Sequence, residues 1–286
     1  MKTYLDCYPC FLRQALDAAR FAGAGEQQQT VVLRDTLATL HSLDPTTTPP
    51  EIGDRIHRQV RSMVASRDPY RDVKRAATAQ ALDLLPWMRE TIRCADDPLD
   101  TAIRLAIAGN IIDYGHNPDY DLDATIDQAL HQPIGIDDAS DLRGALAETR
   151  VDRTSVLYLA DNAGETVFDR ALIELLDPEV TYAIKGGPVL NDATAADALQ
   201  AGLDSVATVV STGADTPGTI LHRTSPAFRD LYAQATLIVA KGQANYETLS
   251  PGDDRVFFLL KAKCPVIARD LGVEPGALIV KQGSRA

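Results

Sequence analysis

Four cysteines in 286 residues are too few for a disulfide framework, so a hydrophobic core must hold this chain together. Basic residues are in the minority: 28 Lys and Arg against 40 Asp and Glu leave a net charge of −12. That balance excludes a duplex nucleic-acid binder, whose affinity rests on clustered basic side chains. Long hydrophobic runs are also missing. One of the most apolar stretches, Ile103 to Ile112, is broken by Arg104, Gly109 and Asn110, and a membrane helix needs roughly 20 apolar residues. Asp6, Arg13 and Asp17 interrupt the segment where a secretory signal would be apolar. No partnership with a membrane is expected, and the expected location is cytoplasmic, with reduced thiols. There is no repeat at a fixed period, and the first strand is not followed by the Gly-x-Gly-x-x-Gly of a dinucleotide oxidoreductase. What is present is ordinary globular composition, 45% hydrophobic and 24% charged, which excludes wholesale disorder.

The pattern changes near residue 150. Residues 1–150 read as an all-helical region. Phe11, Leu12, Ala15, Leu16 and Ala19 recur at helical spacing, as do Leu33, Leu37 and Leu40, and then Ile52, Ile56, Val60, Met63 and Val64. Further helices are expected over 71–84, 98–113, 123–131 and 139–148. Asp97-Pro98 supplies a cap and a first-turn proline for the second of these. No β alternation is visible before residue 150. Residues 151–286 alternate strand and helix signals. Short apolar runs at 156–160, 180–184, 207–210, 237–240, 256–260 and 277–281 are separated by helical patterns. This arrangement predicts an α/β fold: a Rossmann-like, mostly parallel sheet with helices on both faces.

Ligands of such sheets bind at the carboxyl ends of the strands, and the polar residues of this sequence cluster there. The first strand ends in Asp161-Asn162, then Gly164-Glu165. The second leads into Lys185-Gly186-Gly187, then Asn191-Asp192. The fourth ends in Lys241-Gly242, then Asn245 and Glu247. Asp161, Asn162 and Asp192 offer hard oxygen donors without sulfur or imidazole, a set suited to Mg, Mn or a similar divalent ion. Lys241, Lys185 and the Gly242 amide can hold an anion. A metal beside lysines and carboxylates is the equipment of phosphoryl transfer. Each segment alone also reads as a turn or a helix cap; the combination points to a site.

Several blocks together resemble the metal-dependent damage-control phosphatase family, long catalogued as domain of unknown function 89. They are Asp161-Asn162-Ala163-Gly164-Glu165 with Asp169, Lys185-Gly186-Gly187-Pro188 with Asn191-Asp192, Lys241 to Leu249, and Phe257 to Pro265. Cys7-Tyr8-Pro9-Cys10 and Gly109-Asn110-Ile111-Ile112-Asp113 resemble its prokaryotic, cysteine-bearing branch. The resemblance implies a divalent metal (Mn, Mg, Co or Ni) on Asp161, Asn162 and Asp192. It also implies hydrolysis of small phosphate monoesters, such as sugar phosphates or phosphorylated cofactor precursors, in metabolite damage control. On that reading Asp161 and Lys241 are catalytic, and Asn110, Asp113, Glu165, Lys185, Gly242 and Asn245 meet the substrate.

Two rival readings stay open. A Rossmann-like sheet also suits an S-adenosylmethionine-dependent methyltransferase, although Asp161-Asn162-Ala163-Gly164 has just one glycine. Cys7 and Cys10, with no second pair among Cys94 and Cys264, fit packing, a redox pair or a secondary metal-binding module.

Overall fold

A computed structural model describes residues 1–44, 46–63, 68–109, 122–250 and 252–284. Three helices come first: α1 (Cys7–Phe21), α2 (Glu26–His41) and α3 (Pro49–Met63). Their apolar stripes meet in one cluster built on Phe11, Ala15, Val32, Ile52 and Ile56. Then come α4 (Arg71–Cys94), α5 (Pro98–Gly109) and α6 (Leu122–His131). Helix α4 runs ten residues beyond the expected end at 84 and holds Pro86 in its interior. Met88 and Ile92 continue the buried stripe of Ala77, Ala81 and Leu85, so packing outweighs the lost backbone bond.

A strand follows that the sequence pattern does not announce. β1 (Ile134–Asp137) lies before residue 150 and pairs in parallel with β7 (Leu278–Gln282). Four residues with a glycine among them are too short to display a period of two. After α7 (Ala139–Val151) come β2 (Val156–Leu159), α8 (Glu165–Ile173), β3 (Val180–Ile184), α9 (Ala195–Gln200), β4 (Thr208–Ser211) and α10 (Pro226–Gln234). The remaining elements are β5 (Leu237–Lys241), α11 (Gly242–Leu249), β6 (Val256–Lys261), α12 (Pro265–Leu271) and β7. The seven strands lie in the order β1-β7-β6-β5-β2-β3-β4. All neighbours are parallel except β6 and β7, as the short 262–277 connection permits.

Alternate residues of the central strands serve opposite faces. Val156 and Tyr158 join one core with Leu85, Ile103, Ile107 and Phe168, whereas Leu157 and Leu159 join another with Phe228, Tyr246 and Ile267. Both faces of the sheet are therefore covered by helices. The first core crosses residue 150, because α4 and α5 pack on α8 and the sheet. Among the described residues, no helix is long and apolar enough to cross a membrane.

Candidate active site

Strand order reverses between β2 and β5. From β2 the chain steps outward to β3 and β4, then returns to the other side of β2 as β5. Such a switch point opens a crevice at the strands' carboxyl ends. Three loops converge there. The loops after β2 and β3 are stitched together by backbone bonds: Ala193 N donates to Asp161 O (2.8 Å) and Ala163 N to Asn191 O (2.9 Å). Asn162 and Asp192 pair as an isolated antiparallel bridge. This stitching carries Asp192 across some thirty residues to Asp161 and Asn162, as the metal reading requires.

Both carboxylates are buried. Burial pushes the Asp161 carboxyl well above its usual range, and the charges of Glu165 and Asp192 add to the rise. Burial likewise pushes Asp192 up to about 6, with Lys185 opposing the rise. Asp192 Oδ2 is buried and makes no hydrogen bond; Lys185 Nζ stands 3.4 Å away, near but not aligned to donate. Lys185 Nζ instead donates to the Gly218 carbonyl. Two buried carboxylates, the second raising the pKa of the first and keeping an oxygen without a hydrogen bond, fit a divalent cation with the Asn162 amide oxygen as third donor. Among the described residues, no group of three or more His, Cys, Asp or Glu could hold a metal by itself.

A second layer lies beneath. Asn162 Nδ2 donates to Glu165 Oε1 (2.6 Å) and leans on Asp161 Oδ2 (3.4 Å). Lys241 Nζ contacts Glu165 Oε2 at 3.0 Å and Asp169 Oδ1 at 2.6 Å, with Lys241, Glu165 and Asp169 all fully buried. Tyr158 and Tyr182 hydroxyls donate to the two oxygens of Asp169, each at 2.7 Å. Burial raises the Asp169 pKa despite Lys241. Burial would lower that of Lys241, but Asp169 and Glu165 outweigh it and hold the ammonium above its ordinary value. The ammonium expected to neutralise a phosphoryl group is thus committed to carboxylates below the cavity floor. Asn245 is committed too: Nδ2 donates to Lys241 O (2.8 Å) and Ala160 O (3.2 Å), and Oδ1 accepts from Thr219 (2.7 Å). Gly242 opens α11 at φ +79°, where a side chain would be strained.

Above this layer is a cavity of about 610 Å³, between the helical region and the sheet. Of the residues singled out in the sequence, Asp161, Asn162, Asp192, Cys7 and Cys10 line it; Glu165, Lys185, Lys241, Gly242 and Asn245 do not. Asn110 and Asp113 lie outside the described residues. Two lining residues, Lys263 and His57, are not among the site candidates of the sequence, whereas Glu247 enters there only as a strand-end polar residue. Lys263 is exposed, and its charge opposes the Asp161 rise. Burial pushes Glu247 up to about 7, against the hydrogen bond from Gln243. Burial pushes His57 down to about 4, and nothing local in the sequence links it to Asp161. A second cavity, about 560 Å³, opens at the opposite ends of the strands, but its Asp177 and Glu179 are exposed.

The loop after β4 closes the cradle. Gly218 has φ +62°, and a Cβ there would run into the Ala244 carbonyl oxygen. Gly218→Ala is expected to lower stability by about 1–2 kcal/mol through the left-handed conformation alone, with more from the clash. A urea melt of the variant measures it; an unchanged midpoint contradicts this account of the loop.

A doubly wound sheet with buried carboxylates at its switch point, under a cavity of this size, places the chain among α/β proteins that take a ligand at the carboxyl ends of their strands. Residues 3–279 match the damage-control phosphatase ARMT1-like domain. A damage-control phosphatase from Pyrococcus horikoshii is 33% identical over 290 residues, covering 98% of this chain and 97% of that protein. One from Archaeoglobus fulgidus is 34% identical over 239 residues, covering 80% and 81%. The crystal structure of a DUF89 family protein from Pyrococcus horikoshii superposes with a TM-score of 0.87 at 30% identity, covering 99% of this chain and all of that one. The chain belongs to the damage-control phosphatase ARMT1-like family, and of the readings left open by the sequence, its activity is the phosphatase one.

Proposed function

We propose that this chain hydrolyses small phosphate monoesters, sugar phosphates or phosphorylated cofactor precursors, using a divalent cation held by Asp161, Asn162 and Asp192. The carrying observation is the convergence of two buried carboxylates, one with an unbonded oxygen, at the floor of the switch-point cavity. Mn, Mg, Co and Ni all suit such donors. The cation, when bound, supplies positive charge to the phosphate oxygens.

The chain's own residues do the rest. Lys263 reaches the same cavity as Asp161 and adds a second cation for the phosphate. Asp161 is the reacting carboxylate, attacking phosphorus or taking a proton from the attacking water. Glu165 fixes the Asn162 amide, and Lys241 fixes Glu165. Glu247, its carboxyl pushed up to about 7, carries a proton near neutrality and can give it to the departing oxygen.

The test is phosphate release from a panel of sugar phosphates and an aryl phosphate, first in EDTA, then with Mg, Mn, Co or Ni restored. The expected result is no release in EDTA and recovery with at least one cation. Absence of release with every cation and every ester would overturn the reading.

A further inference from the structure

Gly53 sits in the interior of α3, buried, with ordinary helical backbone. Glycine weakens a helix interior relative to alanine, and nothing in the packing demands it here. A Cβ at this position would meet just one atom, Pro217 Cγ, at 3.9 Å. The space it would enter is the cavity that Asp161, Asn162 and Asp192 floor. One turn on, His57 lines the same cavity, is only 4% exposed, and has no hydrogen-bond partner for Nε2. Its imidazole is neutral at physiological pH. The neighbouring wall is apolar: Phe11, Pro49, Pro217 and Val266.

The other side of α3 is anchored to the loops of the site. Asp215, after β4, meets Arg58 at 2.5 Å and Arg61 at 3.3 Å. Arg61 also donates to the Pro188 carbonyl, after β3, at 3.1 Å. This ties α3 to the loop after β3, which carries Lys185 and Asp192, and to the loop after β4, whose Gly218 carbonyl accepts from Lys185.

We propose that the Gly53–His57 face of α3 seats the organic part of the phosphoester, an inference that rests on the phosphatase reading above. Gly53 sets the size of group admitted, and His57 gives one hydrogen bond to a hydroxyl. A neutral imidazole whose buried Nε2 lacks a partner recognises a hydroxyl-bearing carbon chain, a sugar or polyol, because a buried polar atom gains most from a hydrogen bond.

The experiment compares Gly53→Ala, Gly53→Leu, His57→Ala and His57→Gln with wild type. The readouts are KM and kcat for a hexose phosphate and for the two-carbon phosphoglycolate, inhibition by inorganic phosphate, and Tm. Gly53→Ala is expected to raise Tm, since alanine suits the helix. Gly53→Leu is expected to raise KM for the hexose phosphate roughly tenfold or more, as small steric changes in a pocket do. Phosphoglycolate turnover and phosphate inhibition stay within about twofold, because the phosphate end is untouched. His57→Ala raises the hexose phosphate KM with kcat held, and His57→Gln, which keeps a hydrogen-bonding group, restores most of the loss. Hexose phosphate kinetics unmoved by Gly53→Leu, or all substrates and phosphate inhibition falling together, would overturn this assignment alone. A wild-type protein that hydrolyses no ester with any cation overturns the phosphatase reading and this one with it.

Discussion

Asp161→Asn abolishes phosphate release and at the same time raises the thermal stability of the metal-free protein. Both effects come from one feature, the two buried carboxylates at the end of β2 and in the loop after β3. Asn keeps the shape and removes a charge that burial, Glu165 and Asp192 all oppose. Without a cation that charge is a net cost to folding. The metal-free Tm should rise by several degrees, at roughly 2–4 °C per kcal/mol, while turnover falls on the order of 1,000-fold. Calorimetry with and without Mn, beside a phosphate-release assay, measures both. The pH dependence has a defined sign. Burial pushes the folded Asp192 carboxyl up to about 6, from its usual 3.8. Folded protein therefore holds a proton that the unfolded chain has lost, and stability falls as pH rises through that window. Asp192→Asn should flatten this slope in the metal-free protein. Cation binding reverses the penalty in wild type, by about 2.7 kcal/mol when the ion is at 100 times its Kd. A full cation-induced shift in Asp161→Asn would sink the metal assignment.

Lys241→Met unfolds the site from below. It leaves Glu165 and Asp169 facing each other without exposure to water and without a counter-charge. Breaking a buried ion cluster in this way costs about 3–5 kcal/mol, so Tm should fall by roughly 10 °C. Activity falls as well, because Glu165 is the residue that holds the Asn162 amide. The discriminating measurement is the stability. A Lys241→Met protein as stable as wild type, yet inactive, would mean that this ammonium acts on the phosphate rather than on the two acids beneath it. A triple change that also replaces Glu165 and Asp169 with Gln and Asn should recover much of the stability, since no buried charge then lacks a partner.

The sequence by itself determined the architecture and the chemical character of the floor. Apolar runs such as Val156–Leu159 and Leu237–Ala240 are buried on both faces, and that burial writes a parallel sheet directly into local composition. Asp161-Asn162 and Asp192 were legible because polar residues stand where such strands end. The tertiary structure decided what each group faces. Lys241 is local in sequence to a strand end, but its direction depends on Asp169, 72 residues away, and on the two tyrosines that hold it. β1 was illegible because its four residues become a strand through pairing with β7 at the far end of the chain. His57, Gly53 and Lys263 come together with Asp161 only when α3 and the segment after β6 close over the switch point. Local pattern records how a residue is buried; which charges and cavities it meets is set by long-range packing, and no short stretch of sequence carries that information.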